Sequence, residues 1–430
     1  MNLNVKAELF FLNSAPIGQC PAPNRTIKTS VSCSFSAEKE LSLIITGLEN
    51  LAQNPLTSLG GKKLGLLSNP ASTDTKYNHA FDIIQKIYPG QIKALFSPQH
   101  GFYAEKQDNM IESDHFVKPG SGIPVFSLYS STRFPLKKMF DLIDVLIIDI
   151  QDVGTRVYTF IYTISYCMEA AKKYGKKIII LDRPNPLGGA RIEGNVLEKE
   201  YASFVGRFPI PMRHGLTAGE ISHLFNVYFN IGCDLQIIPM KNWERNMLFK
   251  DTLLPYVPPS PNLPTEASVF VYPGQVIFEG TNISEGRGTA LPFEQFGAPF
   301  FKTDLILNAV KNKIKGAVLR PVCFQPTSGK WQNKTCQGFH IHITDPLLFA
   351  PYKTSLLLLQ QIIKYHKENF QWKQPPYEYE YKKKPIDLIL GSKSLRKKLA
   401  NLKDINAIEA SWQASLCEFK ETSKRFYIYE

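Results

Sequence analysis

The chain has 430 residues, 43% hydrophobic and 20% charged, a globular composition with enough apolar mass for two or three domains at roughly 150 residues each. Its 50 Lys and Arg against 38 Asp and Glu give a formal charge of +12, but the lysines are scattered and neither a zinc-finger spacing nor an RNA-binding aromatic signature occurs, which disfavours nucleic acid as a partner. No run approaches the ~18 apolar residues of a membrane-spanning helix.

Residues 1–36 begin with ELFFLNSAPIGQC, a poor secretory signal because Glu8 interrupts its apolar core, and continue into a stretch that reads as a disordered tail. Neither cytoplasm nor periplasm is singled out. EKELSLIITGLENLAQNP has helical spacing from about residue 38 and stops near Pro55. KKLGLLSN is a short apolar strand, and HAFDIIQKIYP a helix ending at Pro89. IKALFS, PVFSLY and DVLIIDIQ read as strands. IYTISYCMEAAKKYG is an amphipathic helix closed by Gly175, and KKIIILDRPNP a further buried strand. TAGE, from Thr217, supplies the Thr and Glu of a capping box.

Strands that are apolar throughout and alternate with helices predict an α/β fold: a Rossmann-like, mostly parallel sheet over residues 38–228. After LQIIPM the chain becomes rich in Pro and aromatics, and PSPNLPT reads as an extended segment pinned by its prolines. GAVLRPVCFQP and GFHIHITD are strands, and YKTSLLLLQQIIKYHKENF and the C-terminal LRKKL region are helical. Residues 230–430 are accordingly expected to form a second α+β domain packed on the first. The seven cysteines are odd in number and form no CxxC, so free thiols are expected; Cys323 and Cys336 are the pair that a hairpin would bring together.

In such sheets ligands bind beyond the carboxyl ends of the strands. Four strand ends carry polar clusters: SNP at 68–70, SPQHGF at 97–102, DIQDVGTR at 149–156 and LDRPNP at 181–186. The loop after the second strand offers Gln99, His100, Glu105, Asp108 and Glu112. The next cluster offers Asp149, Asp152 and Arg156, with Arg156 either holding an anion or pairing with Asp152. Asp182, Arg183 and Asn185 follow, then Arg213 and His214 before a helix N-terminus, where an anion is favoured. FEGTNISEGRGT adds Glu279, Asn282, Glu285 and Arg287, either in a charged hairpin tip or in a sugar site. Neither a dinucleotide fingerprint, a P-loop, a GxSxG nor an HExxH is present, so the Rossmann-like topology does not by itself imply a nucleotide. Hydrolysis by carboxylates fits this inventory best. The positive charge fits a solvated surface first, with an anionic ligand such as an acidic sugar or cell-wall polymer as the alternative.

The segments LLSNPAST, SPQHGF, DVLIIDIQDVGTRVYTFIYT, LDRPNPLGGARIEGNVL, FPIPMRHGLTAGE, PPSPNLPT and VYPGQVIFEGTNISEGRGTALPFEQFGAPF strongly resemble the YbbC/NamZ-like family of exo-acting β-N-acetylmuramidases. The resemblance spans about 60–430 and implies a Rossmann-like domain followed by a smaller α+β domain, with the active-site cleft between them. It implies release of N-acetylmuramic acid (MurNAc) from the non-reducing end of peptidoglycan-derived MurNAc–GlcNAc chains, GlcNAc being N-acetylglucosamine, without nucleotide or metal. Many members read PEHG where this chain reads PQHG, so Gln99 stands where a candidate catalytic Glu would be. A Gln cannot exchange a proton as a carboxyl does. The expected acid/base is then Glu105 or Glu112 in a retaining mechanism. His100 and Asn282 would contact hydroxyl or acetamido groups; Asp152, Asp182 and Glu285 would orient the sugar or stabilise positive charge; Arg183, Arg213 and Arg287 would hold the lactyl carboxylate. A non-catalytic binder of cell-wall sugars and a hydrolase of a different amino-sugar linkage are the competing readings.

Overall fold

The computed structural model describes residues 43–108 and 110–430. The predicted tail at residues 1–36 lies outside them. In chain order the strands are β1 (Leu64–Ser68), β2 (Ile92–Ser97), β3 (Phe116–Val117), β4 (Pro124–Ser127), β5 (Val145–Asp149), β6 (Lys177–Leu181), β7 (Glu193–Val196), β8 (Pro211–Arg213), β9 (Asp234–Ile238), β10 (Gln295–Ala298), β11 (Ala317–Phe324) and β12 (Cys336–Ile343). Seven of them form one sheet in the order β3-β4-β2-β1-β5-β6-β9. All its pairings are parallel except that of the edge strand β3. A three-stranded antiparallel sheet, β10-β12-β11, and a two-stranded pair, β7-β8, complete the set.

Period-two side-chain alternation explains why the parallel strands read as apolar runs. In β5, Leu146 and Ile148 enter the larger core on one face, and Ile147 enters the smaller core on the other. The helices α1 (Gly47–Gln53) and α2 (Ala80–Ile87) cover the second face. The first face is covered by α3 (Lys137–Phe140), α4 (Phe160–Tyr174) and α5 (Ala218–Val227).

Local rules account for the helix ends. Gly175 closes α4 in the left-handed conformation at φ 64°, and Thr217 and Glu220 form the capping box of α5. The helix expected from about residue 38 is shorter in the described residues. Thr46 and Glu49 make a capping box that starts α1 at Gly47, while Ile45 is extended and bridged to Lys241. Cys323 and Cys336 do flank a hairpin but are both free, because Cys323 is registered with Gln337 and Cys336 with Phe324. Among the described residues no helix is long and apolar enough to cross a membrane.

The larger core runs on without a break from the parallel sheet into α6 (Glu266–Gln275) and the three-stranded sheet. It then takes in α7 (Thr303–Val310), α8 (Pro351–Tyr365) and α9 (Pro385–Leu390). The described residues make one compact unit. The far C-terminus returns to the parallel sheet: Tyr429 Oη donates to Asp182 Oδ2 at 2.7 Å and accepts from the Met240 amide at 3.0 Å. Tyr429→Phe leaves that amide without its acceptor and should cost about 1–3 kcal/mol, read as a lowered urea midpoint with an unchanged slope.

Candidate functional site

The order of the sheet reverses at β1, whose neighbours are β2 and β5. A ligand crevice is expected beyond that point, and a cavity lined by Thr73, Gln151, Arg183, Pro186, Phe249 and Tyr256 does lie there, its inner rim cross-linked by side chains. Asn69 Nδ2 donates to Gln151 O at 3.1 Å, Ser72 Oγ bonds Asp149 O, and Arg183 pairs through two nitrogens with the Asp149 carboxylate and reaches Thr73 O at 2.9 Å. Arg183 is therefore committed inside the sheet rim.

A second, narrow cavity opens between the loops after β2 and β5 and the second half of the chain. The first half contributes Gln99, His100 and residues 157–160. The second half contributes Ser260, Asn262, Tyr272, Glu279, Arg287, Phe293, Tyr377 and Glu378. His100, Glu378 and Tyr379 hold positive φ angles of 78°, 46° and 66°, the left-handed region that side chains with a Cβ seldom occupy. Such backbone costs roughly 1–3 kcal/mol per residue and concentrates where function requires it.

Two carboxyls in this cavity sit in opposite settings. Burial raises the Glu279 pKa, but the Arg287 guanidinium at 2.8 Å and the Tyr377 hydroxyl at 2.6 Å outweigh it, and the group is held below the usual carboxylate range. Glu285 lies on the other side of Arg287 at 3.5 Å and accepts from Lys330 Nζ at 2.7 Å. The charges of Glu279, Glu285, Arg287 and Lys330 therefore balance to zero. Glu378 stands outside this balance. Burial raises its pKa, and hydrogen bonds from Tyr129 Oη at 2.6 Å and Gln99 Nε2 at 3.2 Å only partly offset that rise. Opposed shifts in one cavity are the mark of an acid and a base. His100 is pushed down to about 4, first by burial; its Nδ1 donates to Lys106 O at 2.7 Å, so its Nε2 is unprotonated at neutral pH.

The structure thus brings Gln99, His100, Glu279 and Arg287 together, with Glu285 behind Arg287. Glu105 and Glu112 do not line the cavity. Both are exposed: Glu105 accepts from the Tyr103 amide at 3.1 Å and Glu112 from Tyr379 Oη at 3.1 Å. The EGTNISEGRG segment is not a charged hairpin tip, since Glu279 and Glu285 are buried. Asn282 is tied to backbone, accepting from Gln371 N at 3.0 Å and donating to Asn369 O at 2.8 Å.

The remaining candidates hold the scaffold. Arg156 neither pairs with Asp152 nor reaches the cavity; it donates to the carbonyls of Asn195, Ile210, Ile389 and Leu390 at 2.7–3.1 Å. Asp182 accepts from Thr217 Oγ1, the Gly219 amide and Tyr429 Oη, and so fixes the start of α5. Asn185 bonds Leu216 O and the Leu187 amide. Arg213 donates to Leu187 O and lies over the Phe270 ring. His214 accepts from the Leu216 amide, with its Nε2 3.6 Å from Asp152. Among the described residues no group of three or more His, Cys, Asp or Glu is placed to hold a metal ion.

Reading the sequence missed Glu378, Tyr377 and Tyr129. The PPYEYEY stretch held the one available signal: a Glu between tyrosines straight after two prolines, where rigid backbone can aim side chains.

Known proteins resemble the chain through both of its halves. The family model described as "Exo-beta-N-acetylmuramidase NamZ, N-terminal" matches residues 64–267, and its C-terminal counterpart matches residues 270–429. The peptidoglycan β-N-acetylmuramidase NamZ of Bacillus subtilis is 42% identical over 385 residues, covering 89% of this chain and 91% of that protein. Two crystal structures of DUF1343 family proteins from Bacteroides fragilis superpose with TM-scores of 0.80 and 0.69, at 31% and 30% identity. Each alignment covers 90% of this chain and 99% of the other.

Proposed function

The chain belongs to the NamZ family of exo-β-N-acetylmuramidases, and from that premise we propose that it is a glycoside hydrolase releasing MurNAc from the non-reducing end of peptidoglycan-derived MurNAc–GlcNAc fragments. The observation that carries this reading is the similarity to the Bacillus subtilis enzyme through both halves of the chain, because the cavity is assembled from both. A glycosidase needs a proton donor for the leaving oxygen and negative charge facing the oxocarbenium-like centre. The cavity holds a carboxyl biased toward its neutral form and another biased toward its ionised form.

Asn262 lies at the boundary between this cavity and a wider, open cleft that also includes Gln107, Asp108, Thr289, Gln325 and Ser328. We assign the terminal sugar to the mouth of the narrow cavity, where Asn262 joins it to the open cleft, and the remainder of the chain to the cleft itself. Glu279 stays ionised against the anomeric carbon, and neutral His100 is available to a hydroxyl or acetamido group.

Incubation with MurNAc–GlcNAc should yield the two free sugars by mass spectrometry. Binding of an unchanged disaccharide would mark a lectin and overturn the reading. The same assay should give a bell-shaped dependence of turnover on pH. Its acid limb should lie below the ordinary Glu pKa of 4.5, because Glu279 is held down, and its basic limb above 4.5, because Glu378 is held up.

A further inference from the structure

We propose that Glu378 donates the proton to the leaving oxygen in this chain, and that Gln99, which stands where a candidate acid would be, instead holds the Glu378 carboxyl in place. The proposal rests on the glycosidase reading above. Its geometric basis begins at Gln99. Thr159 Oγ1 donates to Gln99 Oε1 at 2.8 Å, which fixes the amide so that Nε2 points to Glu378 Oε1 at 3.2 Å. Tyr129 Oη donates to the other oxygen at 2.6 Å. Each carboxyl oxygen has a second lone pair, so both hydrogen bonds coexist with a proton on the group.

The setting decides whether that proton is present. The groups facing Glu378 are Gln99 and His100 from the loop after β2, Tyr129 and Arg133 from the region after β4, Glu279, and its neighbours Tyr377 and Tyr379. Arg133 lies flat on the Tyr379 ring, 3.3 Å from its centroid, rather than against the carboxylate. Arg287 is committed between Glu279 and Glu285, and His100 is neutral. Among the described residues no cation is hydrogen-bonded to Glu378; the nearby Arg133 charge offsets only part of the effect of burial, and a buried carboxyl without a bonded cation favours its neutral form. Glu105 and Glu112 are exposed and do not line the cavity.

The step balances without another reagent. As the C1–O bond breaks, the Glu378 proton moves to the glycosidic oxygen, which departs as the hydroxyl of the leaving sugar. Water then gives its oxygen to C1 and its proton back to Glu378. The Glu279 carboxylate faces the positive charge in between.

The test compares the wild type and Glu378→Gln on two substrates. The first is the MurNAc–GlcNAc disaccharide; the second is a MurNAc glycoside of 2,4-dinitrophenol, whose leaving group departs without being protonated. If the wild type releases no MurNAc, the glycosidase reading itself fails. Given an active wild type, Glu378→Gln should lose about 10²- to 10⁴-fold in kcat on the disaccharide, keep kcat on the aryl glycoside within about tenfold, and lose the basic limb of the pH profile. Full turnover of the disaccharide, or an equal loss on both substrates as a merely structural role would give, overturns the assignment. Should Glu378→Gln not fold, Tyr129→Phe carries the test. Removing a donor to the carboxylate must move the basic limb to higher pH, and a limb that stays in place overturns the proposal.

Discussion

Glu279→Gln should reduce kcat on MurNAc–GlcNAc by about 10²- to 10⁴-fold while changing KM by only a few fold. The amide has the shape of the carboxylate and still offers an oxygen to the Arg287 guanidinium and a partner to the Tyr377 hydroxyl. It lacks the negative charge that stabilises the oxocarbenium-like transition state, and charge facing charge inside a water-poor cavity is worth far more than in bulk solvent. Because Glu285 continues to pair Arg287 and Lys330, the loss should fall on turnover more than on folding. The aryl glycoside separates this effect from that of Glu378. Glu279→Gln should impair both substrates, since both pass through the same cationic centre, whereas Glu378→Gln should spare the one that needs no proton. Equal kcat in wild type and Glu279→Gln would remove Glu279 from the reaction.

The largest expected effect on stability comes from Arg156. Its guanidinium is fully buried and donates to four backbone carbonyls, two near β7 and β8 and two at the end of α9. Arg156→Met would keep some of the packing but leave these carbonyls without their donors, at a cost of about 3–5 kcal/mol in total. Lysine cannot replace it, because a single ammonium cannot span four acceptors that a planar fork meets in two pairs. Arg156→Lys should therefore recover only a minor part of the lost stability. Urea denaturation of both variants checks the claim; a midpoint shift for Arg156→Met equivalent to under about 1 kcal/mol would contradict it. Arg156 thus ties the parallel-sheet half to α9, and the cavity it indirectly supports is built from both.

How much could be read before the fold was known differs sharply between residue types. The strands and their parallel arrangement were legible because Leu146, Ile147 and Ile148 are all apolar, which requires a dry environment on both faces. The capping box at Thr217 and the glycine cap at Gly175 were legible for a similar reason, since those signals act within one turn of chain. The FEGTNISEGRGT segment was marked as chemically active, but its alternatives stayed open because a charged Gly-rich stretch looks the same at a hairpin tip and in an interior. Burial of Glu279 and Glu285 separated them.

Side-chain partners were the least legible. Arg183, Arg213 and Arg287 are equivalent letters in the sequence, yet the first pairs with Asp149, the second lies against Leu187 O and Phe270, and only the third lines the narrow cavity. Gln99 raised the question of the missing acid, and the nearest carboxyls along the chain, Glu105 and Glu112, were the natural candidates. The carboxyl that meets it belongs to Glu378, 279 positions away.

By itself the sequence determined most strands of the parallel sheet, the class of fold and the family, because periodicity, caps and ordered motifs depend on neighbours along the chain. Only the tertiary structure decided which carboxyls share a cavity, which arginines are already paired, and which acid is held neutral. Those outcomes depend on burial and on charges within a few ångströms, and distance in space is not encoded by distance along the chain.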